Sequence, residues 1–141
     1  LAGRYTLLDQ SALDDVLPAA QTHGKSVVAA GVFNSGLLSQ NHPTEGMKYD
    51  YHDAPTDLVR RASAIAEVCE RYGTTLPAAA IAFPSRHPAV VNVTLGMRTA
   101  EQVRRNVELH AQRVPEGLWG ELRAQGLIRA DVPTASCDDR S

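Results

Sequence analysis

The sequence predicts an α/β fold of parallel strands joined by helices, on three observations. Segments of β-type residues alternate with segments of helical periodicity, in the order β-α-β-long loop-α-α-β-α-α. The middle strand segment, "KSVVAAGVF", is apolar without alternation, as in a strand covered on both faces. Several helical segments also carry their own start or stop signals, in Ser11, Gly24, Pro77 and Thr99.

Residues 4–8 are a short β-type run, so the first ten residues read as a strand already under way and the chain as a piece that starts inside a fold. A helix follows, with Ser11 as N-cap and Asp14 three residues on, a near capping box. Leu13, Val16 and Leu17 share one face of it, and Gly24 stops it. The strand "KSVVAAGVF" leads into residues 39–56, rich in Pro, Gly, Asn and Asp and read as a long loop.

The segment "DLVRRASAIAEVCERYG" repeats apolar residues at Leu58, Ile65, Val68 and Cys69 and ends at Gly73. In "TTLPAAAIAFPSRH", Pro77 falls where a first helical turn tolerates it, and the helix stops near Pro84 or Pro88. "AVVNVTLG" is the third strand, "TAEQVRRNVELHAQRV" a helix capped by Thr99, and "EGLWGELRAQGL" a last short helix anchored by Trp119. Residues 1–130 form the domain, and residues 131–141 a polar tail expected to be disordered.

Three strands cannot close a barrel; they leave two open edges and an incomplete core. The length of 141 residues fits one domain, and 43% hydrophobic residues supply a core. A formal charge of −2 gives no footprint for a nucleic-acid or membrane-surface partner. Cys69 and Cys137 make neither a disulfide framework nor a metal site, which fits a reduced, cytoplasmic compartment. No apolar stretch reaches the roughly 20 residues of a membrane span, and no signal peptide precedes the first strand.

Ligands of parallel α/β folds gather where strands run into helices. After the third strand, Gly96, Met97 and Arg98 lead to Thr99 at a helix N-cap, where free N–H groups and the helix dipole face any anion. Arg98 adds a mobile cation, and Gln102 projects from the first turn. After the second strand, Asn34, Ser35 and Gly36 permit unusual backbone angles and offer N–H groups in a row, the ingredients of an anion-holding nest. On physics alone each is also an ordinary βα turn. His23, His42, His52, His87 and His110 lie at no metal-ligand spacing. "YDYHD" at residues 49–53 either lines a substrate entrance or packs Tyr49 and Tyr51 against the rim of the fold.

Three blocks, "RYTLLDQSALDDVLP", "SVVAAGVFNSGLLS" and "LPAAAIAFPSRHPAVVNVTLGMRTAEQVRRNV", together resemble the C-terminal part of an aldo-keto reductase over residues 4–128. They are most similar to the branch holding sugar dehydrogenases of the D-threo-aldose and L-fucose type and pyridoxal 4-dehydrogenase. The pattern G-x-R-[ST]-x-x-Q-x-x-x-N, met by Gly96, Arg98, Thr99, Gln102 and Asn106, is the most specific piece. The resemblance implies strands six to eight, with their helices, of an eight-stranded α/β barrel, a (β/α)8 TIM barrel.

It further implies that Gly31, Val32, Phe33, Asn34, Ser35, Gly36 and Leu37 run beside the pyrophosphate of a nicotinamide dinucleotide. The Gly96, Met97, Arg98 and Thr99 turn would hold the adenosine end, Gln102 and Asn106 the adenine or its ribose, and Arg98 the ribose or a 2′-phosphate. The family's catalytic Asp, Tyr, Lys and His come from earlier strands and have no match here. Ala30 and Ala2 stand where many relatives carry a stacking tyrosine and a carboxamide-binding glutamine. Gly96 and Gln102 replace the Lys and Arg of some NADP-preferring relatives, which leans the cofactor towards NAD over NADP. The resemblance thus implies an oxidoreductase acting on a small sugar or aldehyde, here without its catalytic set. Two other readings remain: a non-catalytic half-barrel that self-associates through its open strand edges, and a phosphate-binding barrel fragment of another enzyme.

Overall fold

The computed structural model describes residues 1–133. In chain order the elements are α1 (Val16–Thr22), β1 (Val27–Ala30), β2 (Lys48–Tyr49), β3 (His52–Asp53), α2 (Thr56–Arg71), α3 (Leu76–Ala82), β4 (Val90–Thr94), α4 (Ala100–Ala111) and α5 (Gly117–Ala124). β1 and β4 pair in parallel, with Val27 opposite Val90 and Ala30 opposite Thr94.

A third extended segment lies on the other side of β1, but at residues 1–3 rather than 4–8. Ala2 bridges Ala30 in parallel, the Gly3 N–H donates to the Ala30 carbonyl at 2.8 Å, and the Ala30 N–H donates to the Leu1 carbonyl at 2.8 Å. Residues 4–8 curl because Thr6 binds its own neighbourhood. Its hydroxyl accepts the N–H groups of Leu8 and Asp9 at 3.2 and 3.1 Å, and its N–H donates to the Asp9 carbonyl at 2.7 Å. Tyr5, Leu7 and Leu8 are therefore apolar as core residues of a bend, not of a strand.

The first helix also starts later than its sequence suggests. Ser11–Leu13 is a single 3-10 turn, with the Ser11 N–H held by Asp9 at 2.9 Å. Asp15, not Ser11, caps α1 by accepting from the Val16 N–H, and Asp14 instead pairs with Arg129 at 2.8 Å. Elsewhere the signals hold. Thr75 caps α3 with Pro77 in its first turn, and Thr99 caps α4. Within the expected long loop, β2 and β3 form a small antiparallel hairpin, Lys48 opposite Asp53 and Tyr49 opposite His52.

Helices α2, α3 and α5 close the core with the bend at residues 4–8. The Tyr5 and Phe83 rings stand 5.0 Å apart and Phe83 and Trp119 6.0 Å apart, and the Arg86 guanidinium lies 5.1 Å over the Trp119 ring. Val132, assigned by sequence to the polar tail, is buried in this core; residues 134–141, with Cys137, lie outside the described residues.

The opposite face of the sheet is open. Val28 is 46% exposed and Val91 64%, so the expectation of a middle strand covered on both faces is not met. No described segment crosses that side, and the strand itself is only four residues long. Among the described residues, no helix is long and apolar enough to cross a membrane.

Candidate functional site

β1 and β4 run in the same direction, so the loops leaving their C-terminal ends lie side by side. The loop after β1 is held left-handed at Gly31 (φ 65°), Asn34 (46°), Ser35 (59°) and Gly36 (99°). Consecutive turns shape it: the Asn34 N–H donates to the Gly31 carbonyl at 3.0 Å, Gly36 to Phe33 at 3.1 Å and Leu38 to Phe33 at 3.0 Å. The row of free N–H groups expected here is therefore partly spent inside the loop. Among the described residues, the N–H groups of Phe33 and Ser35 meet no protein acceptor.

Asn34 is the unusual member. It is 2% exposed, and neither its Oδ1 nor its Nδ2 has a hydrogen-bond partner. A buried carboxamide left unpaired costs about 1–3 kcal/mol for each unmet group, so such a side chain marks a place where a partner belongs.

The loop after β4 is organised by the cap of α4. Thr99 Oγ1 accepts from the Gln102 N–H at 3.2 Å, and Gln102 Oε1 accepts from the Arg98 N–H at 2.7 Å. Gln102 is thus turned back on its own helix, leaving its NH2 to reach outward. Arg98 and Met97 are exposed at the mouth.

Two contiguous hollows join the loops. A cleft of about 680 Å³ is lined by residues 31–36 with Gly3, Arg4, Asp50 and Tyr51. A groove of about 900 Å³ continues from it past Gly96, Met97 and Arg98 to Gln102, Arg105 and Asn106. Phe33, Ser35, Gly36, Tyr51 and Gly96 line both. The sequence-derived residues are thereby brought together, with two exceptions. Leu37 is fully buried in the core and lines neither hollow, and Thr99 serves as a cap.

Arg4, Lys48, Asp50, Tyr51 and Arg105 line the hollows without having been singled out as ligand contacts. Arg105 was findable: it lies three residues after Gln102 on the same helix, one turn along the same face. Its Nη2 donates to the Ser39 carbonyl at 3.0 Å, which ties α4 to the loop after β1. Asp50 and Tyr51 belong to the cluster at residues 49–53, for which the sequence left a substrate entrance and rim packing both open; the hairpin swings these two over the strand ends. Tyr49 packs against the core, whereas Tyr51 is 90% exposed.

The two hollows differ in charge. Arg98, Arg105 and Lys48 border the groove, with Lys48 paired to Asp53. In the cleft, Arg4 Nη1 sits 3.0 Å from Asp9 Oδ2 and 3.2 Å from Asp50 Oδ2. Burial alone would raise the Asp9 carboxyl, but hydrogen bonds from the Ser11 hydroxyl and N–H and the adjacent Arg4 guanidinium outweigh it, holding Asp9 below the usual carboxylate range. Among the described residues no cluster of three metal-ligating side chains exists. Cys69 is buried in α2, and burial pushes its thiol up to about 12, out of nucleophilic range.

A partial barrel of parallel βα units, with its ligand hollow at the strand ends and two strand-end loops as its walls, defines the class: part of an α/β barrel enzyme fold. The chain belongs to the aldo/keto reductase family, whose model matches residues 1–124. It is 45% identical over 128 residues to pyridoxal 4-dehydrogenase of Microbacterium luteolum, covering 91% of this chain and 37% of that protein. It is 44% identical over 128 residues to D-threo-aldose 1-dehydrogenase of a Pseudomonas species, covering 91% and 39%. It is 27% identical over 100 residues to L-galactose dehydrogenase of Arabidopsis thaliana, covering 71% and 30%. An aldo-keto reductase from Bacillus halodurans, solved in its holo form, superposes with a TM-score of 0.67 at 26% identity, covering 93% of this chain and 43% of that one. The chain spans well under half the length of the curated relatives it matches.

Proposed function

We propose that the chain supplies the dinucleotide-binding wall of a nicotinamide-dependent oxidoreductase acting on an aldose or another small aldehyde or alcohol. The observation that carries this reading is the continuity of the two hollows: residues 31–36 and the segment from Gly96 to Asn106 line one uninterrupted site. Two independent sequence signals, far apart in the chain, thus border adjoining hollows that share five lining residues. The dehydrogenase names of two relatives at 44–45% identity support the same class of reaction.

The residues present suit a dinucleotide. The unpaired N–H groups of Phe33 and Ser35, in a loop held left-handed at Asn34, Ser35 and Gly36, suit a pyrophosphate. Arg98 and Arg105 supply cations at the far end, beside the Gln102 and Asn106 amides. Bound there, the cofactor would supply hydride transfer. The chain's own part is to hold and orient it. The proton-transferring Asp, Tyr, Lys and His set is proposed to lie outside these residues. NAD is favoured over NADP, because Gly96 and Gln102 bring no charge to a 2′-phosphate.

Isothermal titration calorimetry with NAD and NADP tests the reading. Saturable heat with NAD, weaker with NADP, is expected; heats matching dilution for both would overturn it. Trp119 is in the core and is a poor reporter of this site.

A second reading is favoured by one observation. Val28 and Val91 on the strands are exposed at 46% and 64%, and Val103 and Val107 on α4 at 44% and 62%, apolar side chains that association would cover. A chain that self-associates through its open strand edges would elute from size exclusion as an oligomer, whereas a concentration-independent monomer would remove this reading. Family membership replaces the alternative of an unrelated phosphate-binding barrel.

A further inference from the structure

We infer that Arg105, beyond lending its charge to the border of the groove, is a positioning residue: it fastens α4 to the loop after β1 and so sets the spacing of the groove's two walls. The inference rests on the reading of that groove as the dinucleotide site, and concerns how the site keeps its shape.

α4 is anchored at its rear and bare at its front. Of its twelve residues only Leu109 is buried, packed with Ala78 and Ile81 of α3. Just past the helix end, the Thr75 hydroxyl donates to Gln112 Oε1 at 3.2 Å. Residues 100–105 and the turn from Gly96 to Thr99 are exposed, and Asn106 is half-buried. At about 1.5 Å of rise per residue, Gln102 stands about 10 Å along the axis from Leu109, so a small tilt about that anchor displaces the ligand-facing end most. Among the described residues, one hydrogen bond links residues 100–108 to a part of the chain remote in sequence. Arg105 Nη2 donates to the Ser39 carbonyl at 3.0 Å.

The receiving end is firm. The Ser39 N–H and hydroxyl both donate to the Gly36 carbonyl, at 3.0 and 2.6 Å, so a hold on Ser39 is passed to Gly36, which lines cleft and groove alike. A charged donor to a carbonyl also holds better than a neutral one. Arg105 and Gln40 border both the groove and a separate hollow of about 450 Å³ at Asn41, His42, Thr44 and Met47. With the bond broken, the groove opens sideways into that hollow and its walls lose their register.

A ligand that spans both loops gains from their spacing, whereas one that meets a single loop does not. That contrast separates positioning from direct contact and from a general loss of folding.

NMR titration of the 15N-labelled chain and of its Arg105→Ala variant tests this, with NAD, which reaches both loops, and adenosine, which meets only the α4 side. The titrations are run at about 0.3 M salt, where the lost charge is screened. Arg105→Ala should weaken NAD about fivefold and adenosine less than about twofold. In the free variant, amide exchange should quicken at residues 36–39 and stay unchanged in α2 and α5. Equal losses for the two ligands, undiminished NAD affinity, or unchanged exchange at residues 36–39 would each overturn the inference while leaving the dinucleotide reading in place. A parent chain with no saturable shift on adding NAD would remove the dinucleotide reading, and this role with it.

Discussion

A Cβ built on Gly31 would stand 3.0 Å from the Gly3 amide nitrogen and 3.4 Å from its Cα. The loop after β1 thus starts from a residue pressed against the neighbouring extended segment, in a left-handed conformation at φ 65°. Both the direction of the loop and the seating of Asn34, whose Nδ2 lies 4.0 Å from a Cβ built on Gly3, depend on that contact.

Gly31→Ala should therefore destabilise the fold by about 2 kcal/mol, the left-handed penalty plus displacement of backbone that cannot rotate away. Urea denaturation checks it. A loss under 0.5 kcal/mol would mean the loop re-forms without the close approach.

Thr99→Ala removes the side-chain cap of α4 and should cost about 1 kcal/mol. The loss should be local, read as faster amide exchange at Gln102 and in the first turn of α4. The same variant should weaken dinucleotide binding, because the Gln102 side chain is positioned through this turn.

Arg98 and Arg105 border the groove, so removing either charge should weaken NADP more than NAD. Arg98→Ala is expected to lower NADP affinity about tenfold and NAD affinity about threefold, by calorimetry at low salt. An equal loss for both cofactors would place Arg98 on the shared pyrophosphate or adenosine and not on a 2′-phosphate.

Trp119→Ala should cost about 3–5 kcal/mol, enough to unfold a marginal chain, because the ring is 1% exposed and carries the contacts to Phe83 and Arg86. Thermal unfolding followed by circular dichroism measures it.

Acid sensitivity should trace partly to Asp9. Its folded carboxyl lies below its ordinary range, so its contribution is present above the unfolded carboxylate pKa near about 4 and is lost as pH falls through the folded value. Asp9→Asn should flatten the stability-versus-pH curve below about pH 4 and leave the slope above it unchanged.

Much of this arrangement was legible in the sequence, for reasons that separate local from distant effects. Thr99 as cap and Pro77 in a first turn are set by residues within a few positions of each other. The strand at residues 4–8 was misread because core burial and strand pairing favour the same apolar residues, and the decision fell to the Thr6 hydroxyl. Ser11 lost the cap of α1 to Asp15 because Asp9 binds Ser11 first. At the site, the loop residues were readable from glycine, asparagine and motif spacing. Asp50 and Tyr51 were readable only as members of the cluster at residues 49–53, with entrance and rim packing left open, since their position follows from a six-residue hairpin folding back onto Ser35 across the strand ends.

The most direct test of the central claim is hydrogen–deuterium exchange of the chain with and without saturating NAD. If one groove holds the dinucleotide, residues 31–38 and 96–106 should gain protection together, with α2 and α5 unchanged. Protection in only one of the two loops, or in neither, would contradict it.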